Sequence, residues 1–339
     1  MESPILRNPE VFEDSYLPTD ILHRENEIKD LSSELGMFSK SYPLRAVVYG
    51  PPGTGKTTVA KHVLQSFSNY HGIKSVYINS LLSNSKLSIL SNVADSLGII
   101  MPRRGIGSDE ILARIREKEK RLVMIIDEAD SLKEKDFLYY IAKSKETMGM
   151  EMGFVAITNV PAFLSMADAR LPALITKRME FRPYSPSEIR DIILERAKKG
   201  LMPGAFNEDI IGKIAGFAAR HLGNVRLAIY LLLLSAKKAE ADSKNAISLD
   251  DIEKAKEDLV SSMLDKTMVK LSEDEKRIME AIESMSFPLS SDVEKRMEPM
   301  PPRTVRDHLK ALIDREYVLA DEIMTKEGKK RVFRVNYKF

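Results

Sequence analysis

Short runs of consecutive apolar residues alternate with amphipathic segments over the first half of the chain. Four of these runs have the length of buried strands, at residues 46–49, 75–78, 122–126 and 154–157. Between the first two, residues 57–67 have the apolar spacing of a helix. Nearly continuous apolar strands are typical of a parallel sheet that helices cover on both faces. The pattern therefore predicts an α/β fold assembled from βαβ units.

Beyond Pro183 the apolar spacing becomes that of helices. Ser185 and the pair Ser187-Glu188 are suitable residues to open the first of them. Residues 224–238 contain four leucines in a row, which indicates a buried helix in a small bundle. We therefore expect a helical region after the sheet.

Near the end of the sequence, two helical patterns precede two strand-like runs. We expect helices at 272–284 and 302–315 and strands at 317–324 and 331–337, joined by residues 327–330. Helices followed by a short hairpin are typical of a winged helix-turn-helix. The pattern predicts a winged-helix domain at this end of the chain.

The length of 339 residues suits two or three domains. We expect an α/β base at 1–182, a helical domain at 183–262 and a winged-helix domain at 263–339. Hydrophobic residues make up 43% and charged residues 30%, as in globular proteins, and no apolar stretch approaches the ~20 residues that span a bilayer. Membrane and disordered classes are therefore excluded.

The chain contains no cysteine, which excludes disulfides, thiolate metal sites and a cysteine nucleophile. The opening residues have no basic segment followed by an apolar one, so we expect a cytoplasmic protein. The 52 basic and 50 acidic residues give a net charge of +2, far from a uniformly basic nucleic-acid coat. Any contact with nucleic acid must therefore use a local patch.

The segment from Gly50 to Thr57 satisfies the phosphate-loop pattern G-x-x-x-x-G-K-[ST]. It follows an apolar strand and opens a helix, so its backbone N–H groups can face phosphate oxygens. In this pattern Lys56 reaches the β- and γ-phosphates of ATP, and the Thr57 hydroxyl coordinates Mg²⁺. The expected nucleotide contacts in this segment are Pro51, Pro52, Gly53, Thr54, Gly55, Lys56, Thr57 and Thr58.

Polar residues follow the next two apolar strands. Asp127 and Glu128 come directly after residues 122–126, and Asn159 comes after residues 154–157. Open α/β sheets bind ligands at the carboxyl ends of their strands. We expect Asp127 to hold Mg²⁺, Glu128 to polarise the attacking water, and Asn159 to position that water.

The set of motifs resembles the AAA+ ATPases, which join a P-loop core to a helical lid. Over nearly the full chain, the sequence is similar to the archaeal replication-initiator family related to the origin recognition complex and to cell division control protein six. The residues that carry this similarity are the segment from Tyr16 to Ile28, which includes Arg24, and the leucine-glycine…proline…glycine segment at 96–105. The resemblance implies that the first segment lies along the adenine of ATP or ADP. It also implies that the second belongs to an insertion that contacts DNA through Arg103 and Arg104.

The same resemblance assigns roles to arginines outside the core motifs. Gly223-Asn224-Val225-Arg226 matches the family's Gly-Asp-Ala-Arg second sensor, with Asn224 in place of Asp, so Arg226 is expected to contact the γ-phosphate. Arg170 is the best positional match to an arginine finger, and Arg178 is the alternative. Such a finger acts on the transition state, usually from a neighbouring subunit.

The predicted winged helix concentrates basic charge in its hairpin. Residues 326–338 contain six basic residues against one acidic residue, whereas residues 265–339 as a whole hold 16 basic and 15 acidic residues. A basic wing can lie along phosphates while a helix enters the major groove. The expected DNA contacts in this domain are Arg303, Arg306, Lys310, Lys329, Lys330, Arg331 and Arg334.

The favoured interpretation is an ATP-dependent initiator that binds double-stranded origin DNA, with ATP acting as a slow switch. Resemblance to the family adds a replicative helicase that it helps to load, paralogous initiators as further partners, and an association with the nucleoid rather than a membrane. Two alternatives remain open: a DNA motor of the Holliday-junction branch-migration type, and a signalling ATPase whose winged helix binds no DNA. The string Asp127-Glu128-Ala129-Asp130 also suggests an RNA helicase, but no second βα series follows Pro183.

Overall fold

Five parallel strands form one sheet in the order β2-β3-β4-β1-β5. The computed structural model describes residues 5–100, 105–221, 223–268, 271–285, 288–314, 317–325 and 328–335. The strands of the sheet are β1 Arg45–Tyr49, β2 Lys74–Asn79, β3 Arg121–Asp127, β4 Glu151–Thr158 and β5 Lys177–Glu180. The predicted α/β class is thereby confirmed.

Helices cover both faces of this sheet. In chain order they are α1 Glu25–Ser39, α2 Lys56–His71, α3 Lys86–Ser96, α4 Ser108–Lys118, α5 Phe137–Ala142, α6 Ser144–Met148 and α7 Phe163–Met166. Successive side chains of a strand point to opposite faces, so a central strand supplies two cores. On β3, Leu122 and Met124 pack in the core with α3, α4 and α5, whereas Val123 and Ile125 pack in the core with α1 and α2.

The chain divides into two compact units, residues 1–233 and 234–339. The remaining helices are α8 Pro186–Gly200, α9 Glu208–Arg220, α10 Val225–Ala241, α11 Leu249–Met268, α12 Glu273–Glu283, α13 Ser290–Arg296 and α14 Pro302–Asp314. As expected, Ser185 opens α8: its hydroxyl accepts from the N–H of Glu188, whose side chain accepts from the N–H of Ser185. The unit boundary lies within α10 and does not coincide with the three-domain division, which stays a prediction.

Residues 6–12 pack against the C-terminal part of α8. Leu6 forms a β-bridge with Leu201, and Phe12 lies against Gly200, where a Cβ atom would approach the Phe12 ring to 2.4 Å. Arg196 donates to the carbonyl of Val11 at 2.9 Å. The N-terminal segment is thereby built into the helical region that follows the sheet.

The second unit ends in a helix-and-hairpin arrangement. Helices α12, α13 and α14 precede an antiparallel pair, β6 Val318–Thr325 and β7 Gly328–Val335. The apolar residues Ile278, Val305, Val318 and Phe333 of these elements are buried. The element order matches the predicted winged helix.

Two local expectations were wrong, and one strand was missed. Residues 328–330 belong to β7 and not to a connecting loop, because cross-strand pairing with Met324 and Thr325 extends through this basic segment. Strand β5 was not expected, since three of its four residues are charged, but it occupies a sheet edge where such residues reach solvent. Helix α4 has Gly107 as its N-cap and begins at Ser108, rather than using Ser108 as the cap.

Within the part of the chain that is described, none of the helices combines the length and apolar character required to cross a bilayer.

We expect Gly153→Ala to lower the free energy of unfolding by about 1–3 kcal/mol, because overpacking a core strains it. A Cβ atom at Gly153 on β4 would approach the Leu44 Cβ to 2.9 Å and the Phe38 Cε2 to 3.1 Å. The matched control is Gly36→Ala on α1, where a Cβ atom meets nothing within 4 Å. Helix propensity should make that change neutral or stabilising by up to about 1 kcal/mol. Urea denaturation measures both variants, and equal midpoints would contradict this account of β4.

Candidate nucleotide-binding site

The loop from Gly50 to Gly55 turns the chain sharply between β1 and α2. Gly55 is the N-cap of α2 with φ +86°, a conformation that favours glycine. Gly50 has φ +145°, and a Cβ atom there would lie 2.2 Å from the carbonyl oxygen of Phe181. Thr54 stabilises the loop by donating its hydroxyl to the Pro51 carbonyl at 2.8 Å, and Pro52 and Gly53 lie between them. The loop thus directs the N-terminus of α2 at the carboxyl edge of the sheet.

Lys56 begins α2 with its ammonium group buried against the loop. Nζ donates to the carbonyls of Gly50 and Pro51, both at 2.7 Å, and only 6% of the residue is exposed. Burial lowers the pKa of Lys56 to about 8, although the negative charges of Glu128 and Asp127 oppose this shift. The hydrogen bonds described for this buried ammonium go to neutral carbonyls, so it suits an anionic ligand, whose phosphate oxygen would accept a stronger, charge-assisted hydrogen bond.

Asp127 ends β3 with both carboxylate oxygens in hydrogen bonds. Oδ2 accepts from the Thr57 hydroxyl at 2.8 Å and from the Tyr77 hydroxyl at 2.8 Å. Oδ1 accepts from the backbone N–H of Glu128 at 3.0 Å. Thr57 and Asp127 were expected to lie together, and these two oxygen ligands fit Mg²⁺, which prefers such donors.

Tyr77 is a neighbour of Asp127 that the sequence reasoning missed. Burial and the negative charge of Asp127 raise the pKa of its phenol, so the phenol stays protonated and acts as a donor. A single tyrosine in an apolar strand gives no signal of such a contact. The recognisable feature is its position two residues before the end of β2, which pairs with β3.

Glu128 and Asn159 meet at the next position along the sheet edge. Asn159 Nδ2 donates to Glu128 Oε2 at 3.1 Å and to Oε1 at 3.3 Å. Burial raises the pKa of Glu128, and the adjacent charges of Asp127 and Asp130 act in the same direction. Glu128 has φ +52°, which turns it away from the path of β3. The amide therefore holds the Glu128 carboxylate, whose charge acts on the pKa of Lys56, and the expected roles of Glu128 and Asn159 toward water stay predictions.

The start of α10 packs directly on the phosphate loop. Asn224 Oδ1 accepts from the backbone N–H of Leu227 at 3.2 Å, so Asn in place of Asp still caps the helix. A Cβ atom at Gly53 would lie 1.8 Å from Asn224 Oδ1, and the Val225 N–H donates to the Gly53 carbonyl at 3.2 Å. Only glycine at position 53 allows this approach.

Arg226, one residue further on, is half-exposed. Its Nε lies 3.1 Å from Asp14 Oδ1 in the N-terminal segment. Its charge contributes to the pKa shifts of both Lys56 and Tyr77, so it lies within electrostatic reach of the carboxyl edge. Contact with a phosphate would require Arg226 to exchange this surface ion pair, which is weak at an exposed site.

Arg24 is buried and hydrogen-bonded to protein groups. Its Nε donates to the Thr54 carbonyl at 3.0 Å, and Nη2 donates to the Arg182 carbonyl at 2.6 Å. The guanidinium lies over the Tyr184 ring, 3.8 Å from its centroid. These contacts join the phosphate loop to the segment that leads into α8. They make Arg24 a support of the loop, while the expected contact with adenine stays a prediction.

The two candidates for an arginine finger lie outside this cluster. Arg170 forms a bidentate pair with Asp168, at 2.9 and 2.7 Å, and stacks on the Tyr139 ring at 3.9 Å. Arg178 lies on β5 with Nη2 3.5 Å from the Pro172 carbonyl. Thr58, also expected at the nucleotide, lies in the first turn of α2. The roles of all three residues stay predictions.

The residues expected to contact DNA lie in separate places. Arg303, Arg306 and Lys310 are exposed on α14, and the Arg306 guanidinium pairs with Glu294 of α13 at 2.8 and 3.1 Å. On β7, Arg331 is exposed and Lys330 is partly buried. For Lys329 and Arg334 only the backbone in β7 is described, and Arg103 and Arg104 lie outside the described residues.

The site combines a P-loop between β1 and α2, a carboxylate pair at the end of β3, and a polar residue after β4, the strand between β1 and β3. Together these features define an AAA+ ATPase. Residues 40–158 match the family described as AAA domain, and residues 190–257 match the Cdc6 AAA+ ATPase-type lid domain. The chain is an ATPase of this class.

Comparison with individual proteins narrows the class to a family. In an alignment 361 residues long, the chain is 30% identical to ORC1-type DNA replication protein 2 of Thermoplasma acidophilum. The alignment covers 98% of this chain and 89% of that protein. It therefore belongs to the archaeal ORC1-type DNA replication proteins. This membership favours a DNA replication protein over the branch-migration motor and the signalling ATPase.

Two solved structures have the same fold. The Aeropyrum pernix ORC1 protein in complex with DNA has a TM-score of 0.72 and 24% identity, covering 100% of this chain and 95% of that one. The Aeropyrum pernix ORC2 protein in ADPNP-ADP complexes has a TM-score of 0.73 and 21% identity, covering 99% and 95%. At these identities the likeness shows the fold alone.

We expect Arg24→Lys to lower the free energy of unfolding by about 1–3 kcal/mol, because one ammonium cannot reproduce the planar guanidinium's three hydrogen bonds and its stacking. Thermal unfolding of the purified chain measures the change. The control is Arg190→Lys on α8, whose exposed ion pair with Glu208 should make the same substitution nearly silent. Equal melting temperatures for the two variants would argue against Arg24 as a support of the loop.

Proposed function

We propose that this protein is an ATP-dependent DNA replication initiator that binds double-stranded origin DNA, with ATP acting as a slow switch. The observation that carries the proposal is the cluster of Lys56, Thr57, Asp127, Glu128 and Asn159 at one sheet edge. Family membership supports the replication role, and the A. pernix ORC1 complex with DNA supports the partner.

In this proposal the nucleotide binds at the loop from Gly50 to Gly55. Lys56 holds the β- and γ-phosphates of ATP, to which its buried ammonium donates charge-assisted hydrogen bonds. Thr57 and Asp127 hold Mg²⁺, which screens the phosphate charge when bound. Glu128 polarises the attacking water, and Asn159 holds that carboxylate and the water in position.

The lid contributes Arg226 as the second sensor. Its guanidinium would leave Asp14 for the γ-phosphate, so nucleotide state and the N-terminal segment would be coupled through this one side chain. A ligand shifts such an equilibrium only through different contacts in the two states, and ATP and ADP differ in the γ-phosphate. We assign the base to 1–182, the lid to 183–262 and the winged helix to 263–339, and the lid match over 190–257 supports the second of these.

In this proposal α14 enters the major groove, and the basic residues of α14 and β7, together with Arg103 and Arg104, contact the DNA. The two groups are separate in sequence, which agrees with a chain whose overall charge is only +2. We include a replicative helicase and paralogous initiators as partners by extension from the family. Binding to chromosomal DNA would hold the protein at the nucleoid in the cytoplasm.

We expect Glu128→Gln to reduce ATP hydrolysis by about 100-fold or more, because the amide cannot act as a base. Binding of ADP should stay within about twofold of the parent protein, because the phosphate loop is unchanged. Single-turnover hydrolysis and calorimetry measure the two effects. Glu146→Gln, the same change at an exposed site on α6, is the control. Hydrolysis within about threefold of the parent protein in Glu128→Gln would remove the proposed role.

The origin-binding proposal is tested by chromosome-wide footprinting, followed by anisotropy titrations of a protected duplex and a scrambled duplex across a salt series. We expect tighter binding to the protected duplex. Phosphate contacts alone are blind to sequence and would give equal affinity for the two duplexes. Arg303→Ala and Lys310→Ala should each reduce the slope of log affinity against log salt by about 1. Lys276→Ala on α12, whose ammonium pairs with Glu273, should leave the slope unchanged. Equal affinity for both duplexes would overturn the origin-specific part.

A further inference from the structure

Tyr77 lies on β2 with its side chain opposite to those of the two buried neighbours, Val76 and Ile78. The phenol oxygen lies 2.8 Å from Asp127 Oδ2, across the β2–β3 pair. The side chain is 37% exposed, so burial of apolar area does not account for a large aromatic residue here. The contact between the Tyr77 hydroxyl and Asp127 is therefore the feature of this residue to be explained.

The carboxylate of Asp127 is oriented by donors from three elements. The Thr57 hydroxyl comes from α2, the Tyr77 hydroxyl from β2, and the Glu128 N–H from the end of β3. A carboxylate oxygen has two lone pairs, so the two hydroxyls use both positions on Oδ2. Among the described hydrogen bonds, Oδ1 has one donor, so one position remains for a water bound to a metal ion.

The ring of Tyr77 is itself held from α2. Lys61 Nζ lies 3.7 Å from the ring centroid, and Lys61 is four residues after Thr57, on the same side of the helix. The ring would keep this contact without its hydroxyl. Removal of the hydroxyl alone therefore isolates the hydrogen bond to Asp127.

We propose that Tyr77 is a positioning residue of the magnesium site, whose phenol O–H holds the Asp127 carboxylate in the orientation that receives metal-bound water. The inference rests on the proposed function, which assigns Thr57 and Asp127 to the metal. Carboxylates that ligate metals or their waters are usually fixed by such outer hydrogen bonds, and their loss weakens metal binding. The Tyr77 hydroxyl acts with the Thr57 hydroxyl on Oδ2 and with the Glu128 N–H on Oδ1, so its loss removes one of the three described restraints on the carboxylate.

The test is Tyr77→Phe in the full chain, with ADP binding measured by calorimetry at a series of MgCl₂ concentrations and in EDTA. We expect the MgCl₂ concentration that gives half of the magnesium-dependent gain in ADP affinity to rise about fivefold. The ADP affinity in EDTA and the melting temperature of the nucleotide-free protein should stay unchanged. Tyr70→Phe, the same change at a side chain that is 89% exposed near the end of α2, should leave all three quantities unchanged.

A magnesium midpoint within twofold of the parent protein would overturn the proposal. So would a loss of ADP affinity in EDTA together with a lower melting temperature, because that pattern belongs to a residue that only supports the fold. Asp127→Asn separates this inference from the proposed function. Loss of the magnesium-dependent gain in Asp127→Asn, with an unshifted Tyr77→Phe, would refute the role of Tyr77 alone. A gain that persists in Asp127→Asn would refute the metal assignment and the inference with it.

Discussion

The burial of β3 on both faces of the sheet is the constraint on which the rest of the first unit depends. Its alternating side chains enter two different cores, so the strand cannot shift by one residue without exchanging them. This fixed register determines where the strand ends, and Asp127 is its last residue. Thr57 and Tyr77 come from the two elements that flank this end, and their hydroxyls meet on one carboxylate oxygen. The precision of the candidate metal site is thus a consequence of core packing.

The phosphate loop depends in a different way on residues that are remote in sequence. Arg24 holds the Thr54 carbonyl from one side, and Asn224 approaches Gly53 from the other. Both contacts use parts of the chain outside the loop motif, and one of them belongs to the helix that carries Arg226. The loop and the helical region after the sheet are therefore mechanically joined before any ligand is considered. A ligand that moves the phosphate loop would therefore also act on the helical region after the sheet.

Much of the fold was predictable because local periodicity and global burial agree in it. The four apolar runs form the buried parts of β1 to β4, because each run is long enough to be recognised as a buried strand from its own residues. Strand β5 escaped prediction because an edge strand tolerates charge, and its sequence then looks like a loop. The basic start of β7 was misassigned for the same reason. In both cases hydrogen bonding to a neighbouring strand determined the structure. Strand pairing depends on residues outside the paired segment, so the segment's own composition does not predict it.

The site was predictable to the extent that its chemistry is written in contiguous motifs. By itself, the sequence determined that Lys56, Asp127, Glu128 and Asn159 gather at one edge, because parallel strands end together and each residue follows or opens a recognisable element. Only the tertiary structure decided which groups these residues contact: Tyr77 on Asp127, Asp14 on Arg226, and Arg24 on the loop rather than in solvent. These partners are far apart along the chain and belong to common residue types. Their significance arises from distances of about 3 Å that exist only once both cores have formed.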